Sequence, residues 1–240
     1  MTTRLLCHER PDALVLATTV VDARPGMALL EDQPFHPGGG GQLGDRGRIG
    51  WAGGEVAVAG YEIAGDQVWI RLAEPVAIEG PVVATVDSGF RLMMCELHTA
   101  LHIVNALAYR HFDGALVTGA QMNEDGTARI DLDLPDADNA RLRAFEPEIA
   151  EVIRADLPVA AFHMPMADAG REPGLLRSRS AVPPPSPDGL VRIVEIAGLD
   201  RQACGGTHLA STGRSRPVRV LKIENKGRHN RRVRIGLVGS

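Results

Sequence analysis

Two short chelating pairs, far apart in the chain, constrain this 240-residue sequence more than any other feature. His98 and His102 stand four residues apart in Arg91–Arg110, a segment with helical periodicity (Leu97, Leu101, Val104, Ala108) and no Gly or Pro. At 3.6 residues per turn the two imidazoles share one face and can chelate one ion. Cys204-Gly205-Gly206-Thr207-His208 supplies a thiol and a third imidazole, the donor types zinc prefers, and its two glycines permit a tight turn. Each half alone has a bland reading: polar residues at a helix edge, or a buried cysteine near a surface histidine. Together they make a Cys-His₃ donor set, and any fold that uses both must bring residues 98–102 and 204–208 together.

The chemistry is narrowed by an absence. Thr99-Ala100-Leu101 between the histidines holds no glutamate, so the metalloprotease pattern H-E-x-x-H, with its built-in general base, is excluded. Four protein ligands also suit a closed structural site, whereas catalytic zinc usually keeps one position open. The spacing leaves both uses available.

Residues 1–86 read as β-rich. Ala13–Val21, Arg48–Trp51, Glu55–Ile63, Gln67–Leu72 and Val82–Val86 are separated by turn signals such as Arg24-Pro25-Gly26 and Gly53-Gly54, which suggests a small barrel or sandwich. The character changes near Asp87. After the helix, Gly114–Met122 and Thr127–Leu134 read as extended, Pro147–Ala155 as a second helix, and Leu190–Ile196 as a strand. Pro183-Pro184-Pro185-Ser186-Pro187 reads as a loop. Val218–Leu237 reads as a hairpin turning near Lys226-Gly227, with Arg232 and Arg234 opposite an apolar face of Val233, Ile235 and Leu237.

Composition sets the outer bounds. Aromatics are only 4% of residues, so aliphatic side chains and alanine must fill the core. No apolar run is long enough to span a membrane and the N-terminus lacks a secretory signal pattern, so a cytoplasmic protein is expected, with no membrane partner. Three cysteines at irregular spacing (Cys7, Cys95, Cys204) argue against a disulfide framework; Cys7 and Cys95 read as small apolar fillers. The net charge is −4, but residues 214–234 carry nine Lys or Arg against one acid, Glu224. That hairpin is either a polyanion contact or a solvated charged face.

Phe35-His36-Pro37-Gly38-Gly39-Gly40-Gly41-Gln42 is the densest glycine run. Its backbone N–H groups can approach a phosphate or carboxylate, although no Gly-Lys-Ser/Thr follows as in a nucleotide-binding loop, and a simple turning loop reads equally well. Thr118 and Gln121 are polar positions in the apolar stretch after the helix, read from composition alone as ordinary strand residues.

His-Thr-Ala-Leu-His (98–102) with Cys-Gly-Gly-Thr-His (204–208) resembles the editing domain shared by alanyl- and threonyl-tRNA synthetases. Phe35-His36-Pro37 through Asp45 resembles the glycine motif preceding that domain in the synthetase and in the longer freestanding editing proteins of the AlaX type. The resemblance covers nearly the whole chain. It implies an α+β protein: a small N-terminal β-barrel-like domain with the glycine-rich motif (1–86), then a zinc-containing α+β aminoacyl-tRNA editing domain (87–240). It implies that His98, His102, Cys204 and His208 hold Zn²⁺, and that Thr118 or Gln121 presents a polar group to the aminoacyl moiety. The implied activity is trans-acting hydrolysis of serine or glycine from mischarged tRNA(Ala), with no obligate protein partner. Gly39, Gly40, Gly41, Gln42, Arg228, Arg231 and Arg232 become candidates for contacting substrate or tRNA. Two other readings remain: a non-catalytic tRNA-binding protein with a structural zinc, and a zinc hydrolase of small amides or esters.

Overall fold

The structure, a computed structural model, describes residues 3–135, 138–178, 186 and 188–239. The proline-rich loop expected at 183–187 lies, apart from Ser186, outside the described residues. The chain divides into two compact units, one of residues 1–39 and 43–92, the other of residues 40–42 and 93–240.

The first unit is built from strands β1 (Arg4–Leu5), β2 (Val15–Arg24), β3 (Met27–Leu30), β4 (Asp32–Gln33), β5 (Gly47–Trp51), β6 (Gly54–Ala64), β7 (Gln67–Leu72) and β8 (Gly80–Val86). Six of them close into a barrel in the order β2-β3-β7-β6-β5-β8. Alternation drives this: along β8, Val82, Ala84 and Val86 turn inward while Val83 is exposed. Phe35, Ile49, Ile70 and Ile78 fill the same interior. Register shifts at Val20/Asp22 and Val58/Gly60 bend the two longest strands, which lets the sheet close on itself. Gly26, at φ +75° after Pro25, makes the β2–β3 turn. Strand β3 escapes a period-of-two reading because Met27-Ala28-Leu29-Leu30 is a continuous apolar run.

The second unit contains most of α1 (Ser88–His111), whose first turn groups with the barrel unit. Asp87 caps α1 by accepting a hydrogen bond from Phe90 N–H at 3.0 Å. Gly114 closes its far end in a positive-φ conformation, its N–H bonded to Tyr109 O. The remaining elements are β9 (Leu116–Met122), β10 (Thr127–Asp133), α2 (Asn139–Arg143), α3 (Phe145–Arg154), β11 (Val159–Pro165), α4 (Met166–Ala169), β12 (Leu190–Ile196), β13 (Asp200–Ala203), β14 (Val218–Lys226) and β15 (Asn230–Leu237). They form two antiparallel sheets, β14-β15-β10-β9 and β11-β12-β13. α3 begins two residues before the expected start, so Pro147 occupies the third helical position, still in the first turn where its missing N–H is harmless. Val233 and Ile235 are fully buried on β15, while Arg232 and Arg234 face the other way. Among the described residues no helix is long and apolar enough to cross a membrane.

Candidate metal centre

α1 presents His98 and His102 on one face, and the segment after β13 presents Cys204 and His208. Their ligand atoms converge, all within 4.8 Å of one another, and all four residues are buried. Cys204 Sγ lies 3.4 Å from His98 Nε2 and 3.3 Å from His208 Nε2. A tetrahedral ion with bonds of about 2.0–2.3 Å needs donor separations of about 3.3–3.8 Å, and both of these sulfur–nitrogen spacings fall in that range.

What turns three imidazoles toward one point is a set of partners on their outer nitrogens. Thr207 N–H donates to Gln42 Oε1 at 3.0 Å, which identifies that atom as the amide oxygen; His98 Nδ1, 2.8 Å from the same oxygen, must therefore carry its proton. The Gln42 amide nitrogen donates to Thr207 Oγ1 at 2.9 Å. His102 Nδ1 is 3.0 Å from the Asp200 carboxylate, which also receives Arg177 and Gln202. His208 Nδ1 lies 3.3 Å from Thr99 Oγ1, an oxygen that already accepts Leu209 N–H. With Nδ1 protonated, each ring leaves its Nε2 lone pair for a metal, the outer-shell arrangement typical of metal-binding histidines.

The Cys204–His208 loop is held from behind. Arg192, buried on β12, donates through Nη1 to Cys204 O at 2.8 Å and Gly206 O at 2.9 Å. Gly206 has no left-handed φ, so space is what it supplies here: a Cβ would sit 2.1 Å from His98 Cε1 and 2.6 Å from Gln42 Oε1. Cys95, expected only to fill space, donates its thiol to Thr207 Oγ1 at 3.3 Å. Electrostatics favour a thiolate. Burial pushes the Cys204 thiol up, but the three surrounding imidazoles outweigh it and its pKa falls well below the ordinary value. Burial pushes His102 down, yet the Cys204 thiolate and Asp200 outweigh it and raise it to about 10. His208 moves well below its ordinary value, by burial first and by His98 second.

The other expected residues separate. Gly38 to Gly41 all have positive φ, so this turn is open only to glycine in practice. A Cβ on Gly41 would meet Ala120 O at 2.5 Å, and Gly41 O accepts Met122 N–H, so the run ends docked on β9. Gly39 and Gly40 have nothing within 4 Å of a Cβ position. Thr118 Oγ1 is buried with no hydrogen-bond partner among the described residues, at an irregularity where β9 and β10 lose register. Gln121 is exposed and bonded to Asn123 and Arg129.

In the basic hairpin most cations have carboxylate partners. Arg232 makes two bonds to Asp131, Arg234 and Lys222 pair with Glu224, and Arg216 with Glu96. Arg231 donates to Pro135 O, while Arg228 is exposed with no carboxylate partner among the described residues. Sequence reasoning missed Asp200, Arg177, Arg192 and the orienting role of Gln42. Thr99 and Thr207 lie inside the motifs, and Asp200 precedes Cys204 by four residues, but nothing in the sequence says which side chain backs which histidine.

Comparison with known proteins agrees with this geometry. Residues 191–234 match the family described as the threonyl and alanyl tRNA synthetase second additional domain. The chain is 33% identical over 218 residues to the alanyl-tRNA editing protein AlaX-M of Saccharolobus solfataricus, an alignment spanning 89% of this chain and 90% of that protein. It is 32% identical over 222 residues to the alanine–tRNA ligase of Korarchaeum cryptofilum, and 32% identical over 233 residues to that of Frankia casuarinae. Those alignments cover 92% and 95% of this chain but only 24% and 26% of the ligases, so the chain spans about a quarter of those larger relatives. The chain belongs to the AlaX family of alanyl-tRNA editing proteins.

Proposed function

We propose that this protein edits alanine tRNA, hydrolysing the ester of mischarged Ser-tRNA(Ala), and of Gly-tRNA(Ala) as a second substrate, with Zn²⁺ at His98, His102, Cys204 and His208. Residues 87–240 act as the editing domain and residues 1–86 as the β-barrel-like domain with the glycine-rich motif. The observation that carries the reading is the convergence of the four N/S ligand atoms, in a chain 33% identical to an alanyl-tRNA editing protein over most of both lengths.

When bound, zinc supplies positive charge that orients and polarises an acyl group. The chain's residues would do the rest. Thr118, whose buried hydroxyl has no protein partner among the described residues, hydrogen-bonds the serine side chain; alanine would leave it unpaired, which is the stronger way to discriminate between them. Gln121, already bonded at the surface, is the lesser candidate. Two buried carboxylates of this unit are already engaged, Asp200 by His102, Arg177 and Gln202, and Glu96 by Arg216. A hydroxyl of the substrate's terminal ribose therefore assists the attacking water, the acyl C–O bond breaks, and the proton passes to the leaving ribose oxygen. Gly39, Gly40, Gly41 and Gln42 shape the approach of the acceptor end. Arg228, Arg231 and Arg232 meet its phosphates, with the exposed Arg228 best placed for direct contact.

A second reading, a tRNA-binding protein with structural zinc, draws on the closed four-ligand donor set. Deacylation assays with Ser-, Gly- and Ala-charged tRNA(Ala) separate the two. Release of serine above the buffer rate, with alanine spared, and loss of activity in His102→Ala and Cys204→Ala support editing. Binding without turnover supports the structural alternative.

A further inference from the structure

A second convergence of metal-binding side chains lies in the barrel unit, made of Cys7, His8 and His36. In the sequence Cys7 reads as a small apolar filler and His36 as part of the glycine motif. Strand pairing explains why they meet. β1 runs parallel to β4, with Leu5 opposite Gln33, so both chains continue in the same direction and Cys7–His8 comes to lie beside His36. The 3-10 turn Leu6–His8 then swings two consecutive side chains toward the same point.

We propose that Cys7, His8 and His36 form a second metal site, taking a borderline-soft divalent cation of the zinc type. Their ligand atoms lie within 4.8 Å of one another, Cys7 is wholly buried and His36 nearly so. One thiolate and two imidazoles are the donors such a cation selects, and harder cations such as magnesium or calcium prefer oxygen. His36 is held in place at its backbone: its N–H donates to Asp45 Oδ2 at 2.5 Å and its carbonyl accepts Asp45 N–H at 2.8 Å. Asp45 is itself gripped by the buried Arg91 guanidinium. One ligand therefore sits on a fixed frame, as a preorganised site requires. With three protein donors, the fourth position of a tetrahedron is left for water or an exogenous ligand. The ion would fasten the N-terminal turn to the start of the glycine motif, independently of the Cys204 centre and of any role in editing.

The test counts metal in the full chain after reconstitution with zinc and exhaustive dialysis. The unaltered protein should retain about two equivalents, and Cys7→Ser, His36→Phe and Cys204→Ser about one each. Cobalt substitution reads the same sites by colour: Cys7→Ser and Cys204→Ser should each remove about half of the thiolate-to-cobalt charge-transfer absorption. One equivalent in the unaltered protein, or a second equivalent that survives both Cys7→Ser and His36→Phe, overturns the proposal. Should those variants not fold, cobalt titration of the unaltered chain decides: a thiolate–cobalt band still growing through the second equivalent supports the site, and one saturating at the first overturns it.

Discussion

The Gln42 side-chain oxygen lies 2.8 Å from His98 Nδ1 and accepts Thr207 N–H as well, so one amide from the glycine motif orients His98 on α1 and braces the loop carrying Cys204 and His208. Gln42→Ala removes both contacts and leaves His98 free to turn or to change tautomer. Loss of such a partner typically weakens metal binding about 10–100-fold. Competition with a chromophoric chelator measures this; affinity unchanged within twofold or so would show that the Gln42 contact is incidental.

His102 sets the proton stoichiometry expected when an ion binds the cluster. Its pKa stands at about 10, against an ordinary value of 6.5, while the neighbouring imidazoles hold the Cys204 thiol well below its ordinary value and so favour a thiolate. Near neutral pH an incoming ion must displace the His102 Nε2 proton, so binding should release about one proton per ion. Calorimetry in buffers of different ionisation enthalpy reads that number, and a value of zero would contradict the assignment. The sign for stability is fixed too. A raised pKa stabilises the metal-free fold fully below 6.5, and that contribution is lost as pH rises through about 10, while metal affinity increases over the same window. Asp200→Asn, which removes one source of the shift, should lower proton release and affinity together.

Glycines offer a contrast between space and conformation. Gly206→Ala would press a methyl to within 2.1 Å of the His98 ring. Gly40→Ala meets open space and strains only a backbone at φ +60°. Thermal unfolding should show about 1–2 kcal/mol lost for Gly40→Ala with metal retained, and about 1–3 kcal/mol or more for Gly206→Ala, with metal lost. Full zinc content in Gly206→Ala would mean that the loop relaxes more readily than its contacts imply.

The parts of this protein legible in its sequence are those where local pattern and structure share a period. Gln67–Leu72 and Leu190–Ile196 match observed strands residue for residue, and the hairpin turns where Lys226-Gly227 suggested. The α1 histidines share one face because i,i+4 spacing is itself a distance. β3 was hidden by an unbroken apolar run. β11 (Val159–Pro165) gave no signal because its burial never exceeds partial and it ends in proline. Arg192 was illegible for a different reason. β12 has four consecutive buried residues, so both of its faces are covered there, and its arginine donates in the interior to the carbonyls of Cys204 and Gly206, which the fold delivers. Contacts between 42 and 207, or 102 and 200, leave no periodic trace.

Thr118 carries the specificity prediction. It sits between two fixed neighbours: Ala120, against which Gly41 packs, and Val117, whose N–H donates to the backbone oxygen of Arg177, the residue whose guanidinium donates to Asp200. Its position is therefore tied to the residues that orient His98 and His102, while its hydroxyl has no protein partner among the described residues. Thr118→Val keeps the shape and deletes the hydroxyl, so packing and metal content should hold. If that hydroxyl recognises serine, kcat/KM for Ser-tRNA(Ala) should fall about tenfold, the worth of one hydrogen bond of roughly 1–1.5 kcal/mol. Thr118→Ser should restore it, and the slow rate on Ala-tRNA(Ala) should not change in either variant. Equal losses on serine and alanine substrates would instead make Thr118 a packing residue and move the search for the discriminating group elsewhere along β9.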